Sequence, residues 1–64
     1  MQLKSLELEI RWPKDLPLSD LRLFILDRIR THGEPLRWSI SYANASNNVA
    51  YSKILGIEAV VIID

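Results

Sequence analysis

Apolar and charged residues alternate near the start of the chain: Leu6, Leu8, Ile10 and Trp12 are separated by Glu7, Glu9 and Arg11. A period of two puts the apolar set on one face and the charges on the other, so this segment reads as a half-buried β-strand. Pro13 and Pro17 bracket the turn that ends it, because neither can donate to a ladder and each restricts its predecessor. The period then changes. Leu18, Leu21, Ile25, Ile29 and His32 recur at helical spacing and predict a helix over residues 18–32. Ser19 suits its N-cap and Asp20 the positive end of its dipole, with Pro17 as an alternative helix start. Arg28, Arg30 and His32 bring donors to the carbonyl end, and Gly33 ahead of Glu34-Pro35 supplies a left-handed stop.

Alternation returns with Leu36, Trp38, Ile40 and Tyr42, interleaved with Arg37, Ser39, Ser41 and Ala43, and predicts a second half-buried strand. Asn44-Ala45-Ser46-Asn47-Asn48 has the side chains of a turn. A third strand begins at Val49 or Tyr51 and runs to Ile63, with Gly56 expected to mark a bulge. Its last residues, Val60-Val61-Ile62-Ile63, are apolar on both faces, which is the pattern of a central strand. The expected fold is therefore α+β: β-α-β-β, a three-stranded antiparallel sheet in order 1-3-2 with one helix on one face. Leu8, Ile10, Leu21, Ile25, Ile29, Trp38, Ile40, Ala59 and Val61 form the expected core.

Sixty-four residues make residues 1–64 a single small domain, and 48% hydrophobic with 25% charged residues is a globular composition. Apolar runs such as Ala59-Val60-Val61-Ile62-Ile63 fall far short of the roughly 20 residues of a membrane span. Charges in Met1-Gln2-Leu3-Lys4-Ser5-Leu6-Glu7 stand where a signal peptide needs an apolar stretch, so a cytoplasmic location and no membrane partner are expected. Cysteine is absent, which excludes disulfides, thiolate metal sites and a Cys nucleophile. Packing alone must then hold the chain, and a chain of this size buries only about 60% of its unfolded surface. Association would help it.

Catalytic chemistry finds no footing. His32 is the only histidine and sits at a helix end, where donating to terminal carbonyls explains it. Glu7 and Glu9 share a strand face with Arg11 nearby, as a solvated charged face does. The serines lack a nucleophile elbow, the two glycines cannot build a phosphate loop, and Asn44-Ala45-Ser46 matches a glycosylation triplet without a secretion signal. The chain is not expected to be an enzyme, and no catalytic residue, cofactor, metal or small-molecule ligand is indicated.

Eight basic residues balance eight acidic ones, with no polybasic run. Nucleic acid is therefore an unfavoured partner, although an open sheet face with aromatics makes single-stranded RNA binding the alternative function. Trp12, Trp38 and Tyr42 share the parity of the core residues, so they are expected under the helix. A protein–protein interaction module, self-associating as a homodimer or joined to a protein partner, fits better. Leu23 lies opposite the buried stripe of the helix and Leu26 flanks it, while Val60 and Ile62 fall on the outer sheet face. These four residues, in two apolar areas, make up the expected interaction surface. Covering Val60 and Ile62 would remove on the order of 200 Å² from water, worth about 5 kcal/mol. Strands one and two would also be open edges.

The segment Gly33-Glu34-Pro35-Leu36-Arg37-Trp38-Ser39-Ile40, with Glu58-Ala59-Val60-Val61, resembles short uncharacterised proteins of cyanobacteria. The likeness spans most of the chain and carries a cytosolic expectation, but no functional residue.

Overall fold

The computed structural model describes residues 1–47 and 49–64. Strand β1 (Gln2–Pro13) leads to helix α1 (Leu18–Arg30), then to strand β2 (Glu34–Ala45) and strand β3 (Tyr51–Ile63). The sheet has order β1-β3-β2, with β3 antiparallel to both neighbours. This is the α+β arrangement that the apolarity of β3 on both faces implied. Opposed residues share a face, so Leu6, Leu8 and Ile10 of β1 stand beside Ala59, Ile57 and Leu55 of β3, on the helix side.

The core holds Ile10, Leu21, Ile25, Ile29, Leu55, Ile57, Ala59 and Val61, with Leu6, Leu8, Trp12, Leu16, Phe24, Trp38 and Ile63 packed around it. Leu55 and Ile57 join the core against expectation, since a bulge expected at Gly56 would break the parity that links them to Ala59 and Val61. No such bulge exists: β3 keeps unbroken register with β1 from Lys53 to Ile63. The irregularities are in β2, at Leu36 and Ser41, and at the far end of the β1 pairing, after Trp12.

Ile40 is not a core residue. It shares the helix-side face with its partner Ile57 but is 46% exposed. Ile57, its partner on the central strand, is 1% exposed, so Ile40 is open because it stands on an edge strand and not because the helix ends short of its row. At 1.5 Å per residue α1 is about 20 Å long, while strands of twelve or thirteen residues run about 40 Å. The molecule measures 41 × 18 × 15 Å, and its radius of gyration of 12.4 Å exceeds the roughly 11 Å of a compact chain this size. One short helix covers the central strand and leaves parts of both edges open. Leu18, expected on the buried stripe, is 72% exposed at the first position of α1.

The helix ends also differ from expectation. Pro17, with φ −64° and ψ 152°, is the N-cap, and its carbonyl accepts from Asp20 N at 3.0 Å. Ser19 is an exposed residue inside the first turn. At the other end α1 stops at Arg30; the Thr31 hydroxyl donates to Arg28 O at 2.7 Å and His32 N to Ile29 O at 2.9 Å. The terminal carbonyls are thus met by Thr31 and by backbone rather than by the His32 ring. Gly33 has φ +156°, far from a left-handed helical value but still a conformation that other residues rarely adopt. A Cβ there would lie 2.9 Å from the Ile62 carbonyl oxygen, so the stop depends on glycine for space as well.

Between β1 and α1, Leu16 N donates to Pro13 O at 3.1 Å and the Trp12 indole donates to Leu16 O at 2.9 Å. Lys14 N donates to Ala50 O at 3.0 Å, tying this turn to the start of β3. The expected turn at residues 44–48 begins later, because Asn44 and Ala45 still belong to β2; Asn48 lies outside the described residues.

Candidate interaction surface

The sheet register builds the face away from the helix row by row. Across β1, β3 and β2 the rows are Leu3–Ile62–Glu34, Ser5–Val60–Arg37, Glu7–Glu58–Ser39, Glu9–Gly56–Tyr42 and Arg11–Ile54–Asn44. Val60 and Ile62 therefore lie on the outer face, as their parity required. Both are half-buried by their neighbours, so covering them would gain less than the area expected from sequence. Leu3, opposite Ile62, is 62% exposed and extends the apolar end of this face.

Tyr42 is the residue that parity misplaced. β2 pairs Ile40 with Ile57 and then Tyr42 with Gly56, skipping Ser41, so the bulge turns Tyr42 onto the outer face. A Cβ built on Gly56 would fall within the Tyr42 ring. The glycine is explained by the aromatic ring lying across it. Doublets such as Ser39-Ile40-Ser41-Tyr42 carry no sequence signal for which residue is bulged. The Gly56 on the neighbouring strand was the available hint, read on the wrong strand.

Charges occupy the middle of this face. Glu7 stands directly opposite Glu58, with Glu9 in the adjoining row on one side, Arg37 in the adjoining row on the other and Arg11 two rows away. Like charges opposed across strands oppose pairing. Ser5, Glu7, Arg37, Ser39, Glu58 and Val60 line an open groove of about 740 Å³ here.

On the helix side, Leu23 is 60% exposed and Leu26 half-buried. The four candidate residues accordingly divide between the two sides of the molecule, Leu23 and Leu26 on α1 and Val60 and Ile62 on the outer sheet face, and no single patch joins them. A second groove, of about 650 Å³, follows the β1 edge between Leu8 and Ile10 on the strand and Phe24, Arg28 and His32 at the helix. The Arg28 guanidinium lies 5.0 Å from the Phe24 ring centroid and that of Arg11 5.8 Å from the Tyr51 ring. The Arg30–Asp27 pair, at 3.6 Å, is exposed and contributes little.

Among the described residues, no three His, Asp or Glu side chains gather as a metal site would need, and no helix is long and apolar enough to cross a membrane. Neither a curated protein nor a solved structure matches the chain. A family profile does match over residues 4–63, and the chain belongs to that family, a domain of unknown function (DUF8621).

Proposed function

We propose that this chain is a small cytoplasmic protein–protein interaction module that associates with a second copy of itself. The observation that carries this reading is the mismatch between a long sheet and a short helix. The accessible surface is 4710 Å², against about 4,200 Å² for a compact monomer of 7.4 kDa. Leu3 on the outer sheet face, Leu23 on the outward side of α1, and Leu36 and Ile40 on the β2 edge are large apolar residues in that exposed surface, at 62%, 60%, 55% and 46% exposure. Sedimentation equilibrium from low micromolar to millimolar protein tests it. The weight-average mass should rise from 7.4 kDa toward about twice that value. A mass that stays monomeric at millimolar concentration refutes self-association.

One observation favours single-stranded RNA binding as a second reading: Tyr42 presents an aromatic ring, 45% exposed, on the open sheet face. Its surroundings oppose that use, since Glu7, Glu9, Glu34 and Glu58 outnumber Arg11 and Arg37 on the same face. Titration with single-stranded RNA at low salt, read by tyrosine and tryptophan fluorescence, should give no quenching. Salt-sensitive quenching would put this reading first.

A further inference from the structure

We propose that two copies join through β1, edge to edge and antiparallel about a two-fold axis at Ile10, with Glu9 of each strand opposite Arg11 of its mate. The inference rests on the self-association reading and specifies its geometry. It begins from a difference between the two open edges. β2 carries the features that block strand addition: Pro35, which has no N–H, and register breaks at Leu36 and Ser41. β1 keeps continuous register with β3 from Gln2 to Trp12, and its own proline, Pro13, and its single irregularity come only after Trp12, beyond residues 8–12 that flank the axis. An edge that is straight on the side paired with β3 offers an equally regular row of N–H and C=O groups on the side facing out.

Charge selects the register. Strands related by a two-fold axis pair residues whose numbers have a constant sum, and the charged outer-face residues of β1 are Glu7, Glu9 and Arg11. An axis at Leu6 opposes Glu7 to Ser5 and Glu9 to Leu3 and gains no charge pair. An axis at Leu8 opposes Glu7 to Glu9 twice. An axis at Glu7 or at Glu9 opposes that carboxylate to itself. Placed at Ile10, the axis sets both Glu9–Arg11 pairs face to face and leaves Glu7 diagonal to the same guanidinium, with no carboxylate opposed to another. On the helix side it sets Leu8 opposite Trp12, an aliphatic–aromatic pair. Lys4, a charge that would guard the edge, falls outside the paired stretch.

Space and solvation agree. Neighbouring strands lie about 4.8 Å apart, so helices seated over the two β3 strands would be three spacings, or about 14 Å, from one another. Packed helices approach to 8–10 Å. The remaining gap is where the groove above β1 lies, bordered by Phe24 and Arg28, and the two Phe24 rings can share it. Association through the outer sheet face would instead strip water from the opposed Glu7 and Glu58 carboxylates, a cost that edge pairing avoids.

Reversing charges tests the register on the full chain. Glu9→Arg and Arg11→Glu alter exposed side chains, and circular dichroism should report an unchanged fold. Each single variant makes both cross-strand pairs repulsive and should weaken dimerisation about tenfold or more by sedimentation equilibrium. The double variant Glu9→Arg/Arg11→Glu restores opposite charges and should recover the wild-type dissociation constant. An equimolar mixture of the two single variants should form a heterodimer tighter than either homodimer. Dimers indifferent to all of these substitutions, or a double variant as weak as the singles, overturn the β1 pairing. If such dimers are instead lost with Val60→Ser or Ile62→Thr, the outer face is the interface and self-association stands without this geometry. A wild-type chain that never dimerises removes both.

Discussion

Gly56→Ala adds a single methyl group to the central strand, yet the structure assigns it a substantial cost. The new Cβ would occupy the space of the Tyr42 ring, so the ring must leave the sheet surface. Tyr42 is 45% exposed, and a tyrosine side chain presents about 200 Å², so full release uncovers about 100 Å². At 25 cal/mol/Å² that loses about 2.5 kcal/mol. Alanine returns about 0.5–1 kcal/mol, because glycine gives up more chain freedom than alanine when held in a strand. The net loss is about 2 kcal/mol.

The assay that isolates the cause is a double-mutant cycle. Urea unfolding followed by the fluorescence of Trp12 and Trp38 gives the stability of the wild type, Gly56→Ala, Tyr42→Ala and the double variant, at one fixed protein concentration so that association does not enter the differences. With Tyr42 already truncated, the three atoms nearest the added Cβ are gone, and alanine should be neutral or stabilising by about 0.5–1 kcal/mol. The effect of one substitution thus changes sign with the identity of a residue on the neighbouring strand. Equal effects in the two backgrounds would refute the placement of the Tyr42 ring and, with it, the bulge at Ser41 that brings the ring to the outer face.

Gly33→Ala should destabilise by about 1–3 kcal/mol, because an L side chain at φ +156° is strained and its Cβ meets the Ile62 carbonyl; thermal unfolding that leaves Tm unchanged would contradict this. Trp12→Phe keeps an aromatic ring but leaves the Leu16 carbonyl without its indole donor, and should cost about 1 kcal/mol, read by urea unfolding through Trp38.

Much of the fold was legible because its elements bury apolar residues with clean periods. The run Leu6, Leu8, Ile10, Trp12 announces one face of β1, and Leu21, Ile25 and Ile29 announce the buried stripe of α1. The order of the strands followed from β3, whose residues are apolar on both sides because it is flanked by strands and covered by the helix. Where the reading failed, a local irregularity reset the period. The bulge at Ser41 costs no unusual residue on β2 and shows only as a glycine across the ladder, so alternation puts Tyr42 on the wrong face, and a bulge expected at that glycine leaves Leu55 and Ile57 on none. Ile40 failed differently. Its parity is right, but parity says which side a residue faces and not how far across the sheet the covering helix reaches. Of the candidate surface, the outward placement of Leu23, Val60 and Ile62 was legible; that Val60 and Ile62 are half-covered by neighbouring rows depends on cross-strand register, which no single segment encodes.

The unequal lengths of sheet and helix bear on how the two edges came to differ. A strand of about 40 Å beside a helix of about 20 Å leaves unpaired backbone along both edges, and unpaired edges invite aggregation unless they are blocked or used. On β2 the proline and the two register breaks block it. The break at Ser41 has a second effect, since it lays Tyr42 over Gly56 and so covers backbone at the middle of β3. On β1 no such device interrupts the ladder before Trp12, and the residues bordering that edge on the helix side, Leu6, Leu8 and Phe24, are only partly buried. Blocking one edge while leaving the other regular limits association to closed pairs, because a strand joined about a two-fold axis has no further free partner surface of its own kind. An open stack of sheets would need both edges to be competent. The same asymmetry gives the charge-reversal experiment its force: with β2 blocked, loss of the β1 contact leaves no equivalent edge for the chain to fall back on.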